Sequence, residues 1–480
     1  MGNESLNPIA NFSRSDLMRS VLGSKPAVLF GYWFLKKRLE KSLSGKLGSA
    51  LYQERVMMLG NLMDSIKKGY EDGRLDPKVV GRVLGIFLSG VMEIAEKRRE
   101  RENELDAIPL FITISPTQVC NLHCKGCYAG SSSQTRAQLS YEVLDWVLRE
   151  KKRLWGSFFT VISGGEPFAY RDNGKDIFDV FSSHPDQFFL VYTNGTLINK
   201  DVARKLAELG NVTPAISVEG LKEETDARRG NGVFEKILRA MENLREQGVL
   251  FGISMTATRE NADRLLSPEV IHFWMDEQKA FYAWLFQYMP IGRAPSLDLM
   301  VTPEQRIRLY ERARELCFNE RRFIVDFWNN GPVSRGCISA GRDYGYFYID
   351  WNGNITPCVF NPYTSINVNQ LYQSGKSMDD ALQTPLFKEI RKWQKEYGYM
   401  RPLKEVKNWL TPCLIKDHHD CFCEIRSKTN AQPIDEWAEL AMEDEEYQAR
   451  LTECGKKVQE LSKPLWEKYY LKTETDKNTV

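Results

Sequence analysis

At 480 residues, 42% apolar and 27% charged, the chain has the composition of a soluble globular protein with room for about two to four domains. Its formal charge of +1 argues against nucleic acid as a partner. Ten cysteines behind a polar start with no apolar leader point to a reducing, cytoplasmic setting, with metal sites in place of disulfides.

In chain order, residues 1–106 read as helical. Pro26 opens a first helix over Ala27–Lys41, whose apolar run (AVLFGYWFL) gives way to lysines and an arginine. Nine apolar residues are too few to cross a bilayer. Residues 1–48 carry eight Lys and Arg against three Asp and Glu, so this helix suits either an anionic membrane surface or packing on the domain behind it, with its lysines in water. A second helix covers Ser49–Lys68, and a third starts at Asp76-Pro77 and runs toward Glu104, with Gly81 and Gly85 permitting a close contact. From Pro109 the texture becomes six short apolar runs: Phe111–Ser115, Phe158–Ser163, Phe188–Thr193, Thr213–Val218, Val249–Thr258 and Phe281–Tyr288. Helical stretches at Leu139–Arg153, Lys200–Leu209, Val233–Gln247 and Asn261–Glu277 alternate with them, which predicts an α/β fold with a parallel sheet. Thr302–Cys317 is a further helix, Tyr346–Ile349 and Ile355 flank a hairpin turn, and Asp435 to Tyr470 returns to charged helix before a polar tail. The divisions implied are 1–106, 107–300, 301–330, 331–430 and 431–480.

The chemistry concentrates after the first strand, where Cys120, Cys124 and Cys127 fall within eight residues. Thiolates at that spacing can turn toward one soft metal centre, and cysteine is the usual ligand of iron–sulfur clusters. A four-iron cube held by only three cysteines keeps one iron open to an amine and a carboxylate.

The stretch CNLHCKGCYAG resembles the CxxxCxxC signature of the radical S-adenosylmethionine (SAM) superfamily, with Tyr128 as the aromatic that follows the third cysteine. Ser163–Pro167 (SGGEP), Thr193–Thr196 (TNGT) and Ser217–Gly220 (SVEG) are similar to its later strand-end motifs, and the chain from Cys337 onward resembles a SPASM-type extension. This resemblance implies a partial (β/α)6 barrel with an N-terminal helical region and a C-terminal cysteine-rich extension. It assigns Cys120, Cys124 and Cys127 to a [4Fe–4S] cluster with SAM on its fourth iron. Gly164 and Gly165 would let the backbone approach SAM, and the loop at Glu166 and Pro167 would meet its amine. Asn194, Ser217 and Glu219 are candidates for its ribose and carboxylate, and Arg228 or Arg229 can fork onto that carboxylate. Met289 and Ile291 can wall the adenine. The substrate is expected to be a peptide, a protein or a lipid, with an electron donor such as ferredoxin or flavodoxin as partner. A non-catalytic iron–sulfur or zinc scaffold is the alternative.

Five further cysteines, Cys337, Cys358, Cys413, Cys421 and Cys423, stand between Gly331 and Glu424. Gly353 precedes Cys358 as in the opening half of a SPASM pattern, but the second half has too few cysteines for two clusters. One auxiliary [4Fe–4S] cluster on Cys337, Cys358 and two of the last three is expected. A zinc site is the rival, because zinc also accepts four cysteines and His418 and His419 are close by. Cys317 reads as core, and Cys454 as isolated on a charged helix.

Overall fold

The computed structural model describes residues 30–37, 49–101 and 107–471. Seven parallel strands form its centre: β1 (Phe111–Ile114), β2 (Phe159–Ile162), β3 (Phe188–Thr193), β4 (Val212–Val218), β5 (Gly252–Ala257), β6 (Ala283–Gln287) and β7 (Ile324–Asp326), paired in that order. β3 and β4 are buried on both faces, which is why they read as apolar runs without alternation. The first six are the strands expected from the sequence. The seventh adds a parallel strand at the open edge; three residues beside Arg321 and Arg322 carry too little pattern to be seen in advance.

At the other edge β8 (Tyr348–Ile349) pairs in parallel with β1 and forms the expected hairpin with β9 (Asn354–Thr356), beyond which β10 (Ile366–Asn367) is antiparallel. One sheet of ten strands therefore runs from the barrel into the cysteine-rich segment. That segment is also more helical than its sequence suggested, with α8 (Pro385–Glu396) and α9 (His419–Thr429) behind the hairpin.

The crossover helices begin and end on local signals. α3 (Tyr141–Trp155) starts where the Ser140 side chain accepts from the Val143 N–H and stops at Gly156 in the left-handed region. α4 (Lys200–Leu209), α5 (Lys222–Arg229), α6 (Val233–Glu246) and α7 (Pro303–Phe318) follow, the last opened by a capping box between Thr302 and Gln305. Two long helices expected from the sequence are broken. Asn261–Glu277 is split into Ala262–Leu265, Pro268–Ile271 and a wider π-helical turn at His272–Glu277, because Pro268 cannot continue a helix and Ser267 caps the next piece. The C-terminal helix divides at Asp444, whose side chain caps α10 (Glu445–Trp466).

The N-terminal helices α1 (Ser49–Glu71) and α2 (Pro77–Glu100) close the barrel floor. Asp76 caps α2 and Pro77 takes its first turn, as expected. Val79, Val80 and Ile86 pack in one core with Phe158, Phe188, Leu250 and Phe281, residues at or just before the starts of β2, β3, β5 and β6. Gly90 makes the closest approach, since a Cβ there would lie 2.1 Å from the Phe158 ring. Of the expected first helix, residues 30–37 are helical, while 27–29 and 38–41 lie outside the described residues. Phe34 and Leu35 pack against the floor core, Lys36 pairs with Asp64 at 3.0 Å, and Phe30 and Trp33 are exposed. Among the described residues no helix is long and apolar enough to cross a membrane.

Candidate active site

With the floor closed by helices, the strand C-termini are left to build the site, as in α/β barrels generally. The loop after β1 carries Cys120, Cys124 and Cys127, and its shape is fixed from several directions. Cys120 N–H donates to the Ser132 carbonyl at 3.1 Å and Lys125 N–H to the Arg228 carbonyl at 3.0 Å. The Arg293 guanidinium donates to the carbonyls of Cys124 and Ser131, and Arg293 N–H to that of Cys127 at 3.0 Å. Burial pushes the Cys120 thiol up to about 12 and raises that of Cys124, which the Arg229 cation partly offsets. Metal binding here therefore releases protons and favours the thiolates.

The residues after β2 hold this loop from below. Gly165 N–H donates to the Thr117 carbonyl and Glu166 N–H to the Val119 carbonyl, both at 2.8 Å. A Cβ on Gly165 would lie 2.2 Å from the Val119 oxygen, and Gly164 has φ +113°. The two glycines thus bring the loop against the cysteine-bearing backbone, a contact within the chain in addition to any with SAM. The Glu166 carboxylate is fully buried and accepts from Thr193 Oγ1 at 2.8 Å, Asn194 N–H at 2.9 Å and Phe168 N–H at 3.2 Å. It locks β2 to β3, and burial raises it to about 7. Pro167 opens the short helical turn that follows. The Tyr128 hydroxyl shares a 2.5 Å hydrogen bond with Ser163 and accepts from Gly164 N–H at 3.1 Å, which ties the cysteine loop to the glycine loop.

Asn194 reaches the same loop, donating to Asn121 Oδ1 at 2.9 Å with Cys120 Sγ at 3.8 Å. Ser217 pairs with Ser254 at 3.1 Å on the cavity wall. Glu219 is buried behind that wall, where it binds Arg228 and Arg229. Both arginines line the cavity, and Arg229 Nε is buried with no acceptor among the described residues. An orphaned cationic donor beside the cysteines fits a ligand carboxylate. Met289 is on the cavity wall with Tyr288, whereas Ile291 packs into the core.

The cavity, about 400 Å³, continues from these residues down the barrel axis. Phe111, Phe159, Tyr192, Trp284, Phe286 and Phe327 line its middle. Of the charged side chains on its wall, Arg228 is engaged by Glu219 and Asp326 by Asn329 and the Trp328 N–H, while Arg229, paired with Glu219, keeps its Nε free. Its far end is formed by Cys337, Cys358 and Cys413.

These three thiols are electrostatic neighbours on the cavity wall, though among the described residues no three or more His, Cys, Asp or Glu side chains stand close enough to hold a metal ion. The Cys358 thiol is raised first by burial and then by Cys413 and Cys337, and Cys413, pushed up to about 12, feels Cys337. Tyr346, on the cavity wall, is an electrostatic neighbour of all three. Each cysteine is held by a residue three to five positions further along the chain. Buried Arg342 donates to the Cys337 carbonyl, and Asn361 N–H donates to the Cys358 carbonyl at 3.0 Å. Cys413 N–H donates to Asp417, which is paired with fully buried Arg306 of α7. Arg293 and Arg306 carry no signal in the sequence, because each acts on a segment far along the chain.

Unlike Cys413, Cys421 and Cys423 are not among the residues that line the cavity. Cys421 faces Asp420, Glu424 and Lys407, and Cys423 lies near Arg426 and Gln448 of α10. Two residues apart on α9, they cannot share a face. The imidazoles of His418 and His419 are each bonded to a backbone carbonyl, of Thr411 and Ile415. Cys317 is buried, as expected, and Cys454 neighbours Lys416 and Arg306.

Residues 114–266 match the profile of the radical SAM superfamily. The mycofactocin maturase MftC of Mycolicibacterium smegmatis is 27% identical over 321 residues, 64% of this chain and 78% of that protein. The AdoMet-dependent heme synthase of Nitratidesulfovibrio vulgaris is 24% identical over 361 residues, 67% of this chain and 89% of that one. Among solved structures, native anSMEcpe with bound AdoMet and the Cp18Cys peptide superposes with a TM-score of 0.51 at 17% identity, covering 75% of this chain and 98% of that chain. With its cysteine loop, strand-end motifs and barrel in place, residues 114–266 are a radical SAM domain, and the protein is an enzyme.

Proposed function

We propose that the protein abstracts hydrogen from a carbon in an uncharged, apolar part of its substrate, held in the aromatic cavity between two iron–sulfur sites. With a [4Fe–4S] cluster on Cys120, Cys124 and Cys127 and SAM at its open iron, one-electron reduction splits SAM into methionine and a 5'-deoxyadenosyl radical that takes the hydrogen atom. Arg229, held by Glu219, receives the SAM carboxylate. Tyr128, Glu166 and Asn194 keep the cysteine loop and the strand ends in register, so the ligand meets a preformed site. Cys337, Cys358 and Cys413 hold the auxiliary cluster at the other end.

The observation that carries this reading is the cavity itself. An aromatic wall whose charges are paired, apart from the Arg229 Nε that SAM would take, offers no partner for an ionic substrate group, and a charge entering it unpaired would lose its hydration. The two relatives differ in what they are named for, a maturase and a heme synthase, so the wall is the better guide to substrate class. A hydrophobic segment of a peptide meets this description, in keeping with the likeness to the maturase.

The test is anaerobic: reconstituted protein reduced with dithionite should convert SAM to 5'-deoxyadenosine and methionine. Replacing Cys120, Cys124 and Cys127 together by Ala should abolish this, and undiminished cleavage in that variant would refute the assignment.

A lipid substrate is the second reading, favoured by Phe30 and Trp33, which stay exposed on helix 30–37 while its other face packs. The protein would then sediment with anionic vesicles at low salt, and Trp33→Ser would weaken that without changing SAM cleavage. A variant that sediments like wild type removes the support for this reading.

A further inference from the structure

Four side chains on the cavity wall carry a buried polar atom with no hydrogen-bond partner among the described residues: Ser131 Oγ, Arg229 Nε, Trp328 Nε1 and Tyr346 Oη. All four can donate. The buried orphans that only accept, the amide oxygens of Gln187, Asn211 and Gln394, belong to residues away from the wall. The wall is therefore short of acceptors and not of donors, and a buried donor left without a partner is costly enough to call for an explanation.

Ser131 and Arg229 stand beside the cysteine loop, where SAM brings its own acceptors. Trp328 and Tyr346 do not. Both rings meet Phe327 edge-on, at 5.3 and 6.4 Å between centroids, so their donors belong to one patch of the substrate cavity. The Val359 N–H lies beside the Tyr346 oxygen; it is itself a donor, so the hydroxyl proton still lacks an acceptor. Neighbouring side-chain oxygens are already taken, Gln287 Oε1 by Lys416 at 2.9 Å and Asn330 Oδ1 by the Asp326 N–H at 2.7 Å.

Charge decides what kind of acceptor fits. The acidic side chain on this part of the wall is Asp326, and Lys416, 5.0 Å from the Trp328 ring, does not line the cavity and is held by Gln287. An anion entering here would meet a carboxyl group with no free cation beside it. We infer that Tyr346 O–H and Trp328 Nε1–H form a subsite for a neutral carbonyl oxygen of the substrate, the amide carbonyl of a peptide backbone. An apolar side chain on the aromatic wall and a carbonyl on these donors fix the substrate by two chemically different contacts, which orients the reacting carbon. The inference rests on the proposed apolar substrate cavity and adds its polar handle.

Two probes test it by ligand-observed nuclear magnetic resonance on the reconstituted full-length protein with SAM. N-acetyl-leucine N-methylamide carries amide carbonyls and an apolar side chain, and toluene carries no acceptor oxygen. Both should bind and compete with each other. Tyr346→Phe and Trp328→3-benzothienylalanine each delete one donor at nearly constant shape. Each should weaken the amide about fivefold, the ordinary worth of one neutral hydrogen bond, and leave toluene binding unchanged. An amide affinity indifferent to both exchanges, with toluene still bound, would overturn the subsite and leave the cavity reading intact. Isoamyl acetate binding as tightly as the amide, and losing as much in both variants, would overturn the amide in favour of an ester carbonyl. Failure of toluene to bind would instead sink the apolar cavity on which the inference rests.

Discussion

The two thiol groups at the ends of the cavity are built in opposite ways. Cys120, Cys124 and Cys127 come from one loop of eight residues directly after a strand, and the surrounding contacts refine a spacing the chain already has. Cys337, Cys358 and Cys413 span 77 residues and meet only because the hairpin extends the barrel sheet and the Arg306–Asp417 pair fixes the third segment. Local spacing is robust to changes elsewhere in the molecule. A site assembled from distant segments depends on each clamp, and the largest effects are expected there.

Asp417→Ala should break the comparison most sharply. It leaves the Arg306 cation buried and unpaired, a loss of about 3–5 kcal/mol by the usual cost of such a break, and it frees Cys413. The auxiliary cluster should be lost from the folded fraction while SAM-dependent signals of the first cluster persist; equal loss of both would show that the two ends are not independent. Asp417→Asn, which keeps part of the hydrogen bonding, should lie between.

Glu166 sharpens the other side. Its carboxyl keeps its proton up to about 7 in the folded chain, well above the unfolded value of about 4.5. Between those values the folded state binds more protons, so the group's contribution to stability is full below pH 4.5 and falls as pH rises through 7. Up to about 3 kcal/mol is at stake, because each pH unit between the two values is worth roughly 1.4 kcal/mol. Denaturation curves at pH 5, 6 and 7 should show this decline, and Glu166→Gln should flatten it; parallel declines in the two proteins would refute the linkage.

The same contrast separates what the sequence could reveal. The six barrel strands, the capped start of α2 and the cysteine loop are written in short stretches, as periodicity, an Asp-Pro pair and a spacing. Glu166 and Glu219 were recognisable as acids at strand ends, but their partners were not. Glu166 meets Thr193 and the Asn194 N–H across the sheet, and Glu219 binds Arg228 and Arg229, which the sequence offered only as partners for the SAM carboxylate. Choosing among Cys413, Cys421 and Cys423 required knowing that of the three only Cys413 lines the cavity, which only packing decides. The breaks at Pro268 and Asp444 were visible as residues and were overruled by apolar spacing.

A smaller effect tests the ligand end of the cysteine loop. Arg229→Met removes the orphaned donor and leaves Glu219 paired with Arg228. SAM affinity should fall roughly tenfold or more, the worth of about 1.5–3 kcal/mol for a hydrogen bond to a charged group, with the iron content unchanged. Unaltered SAM binding would remove Arg229 from the site.

The most direct measurement is iron per chain in three proteins reconstituted side by side. About eight irons are expected in the wild type, about four when Cys120, Cys124 and Cys127 are replaced by Ala, and about four when Cys337, Cys358 and Cys413 are replaced instead, by the four-iron content of each cube. Wild-type iron of about four, or about eight irons retained without Cys337, Cys358 and Cys413, would contradict the two-cluster reading.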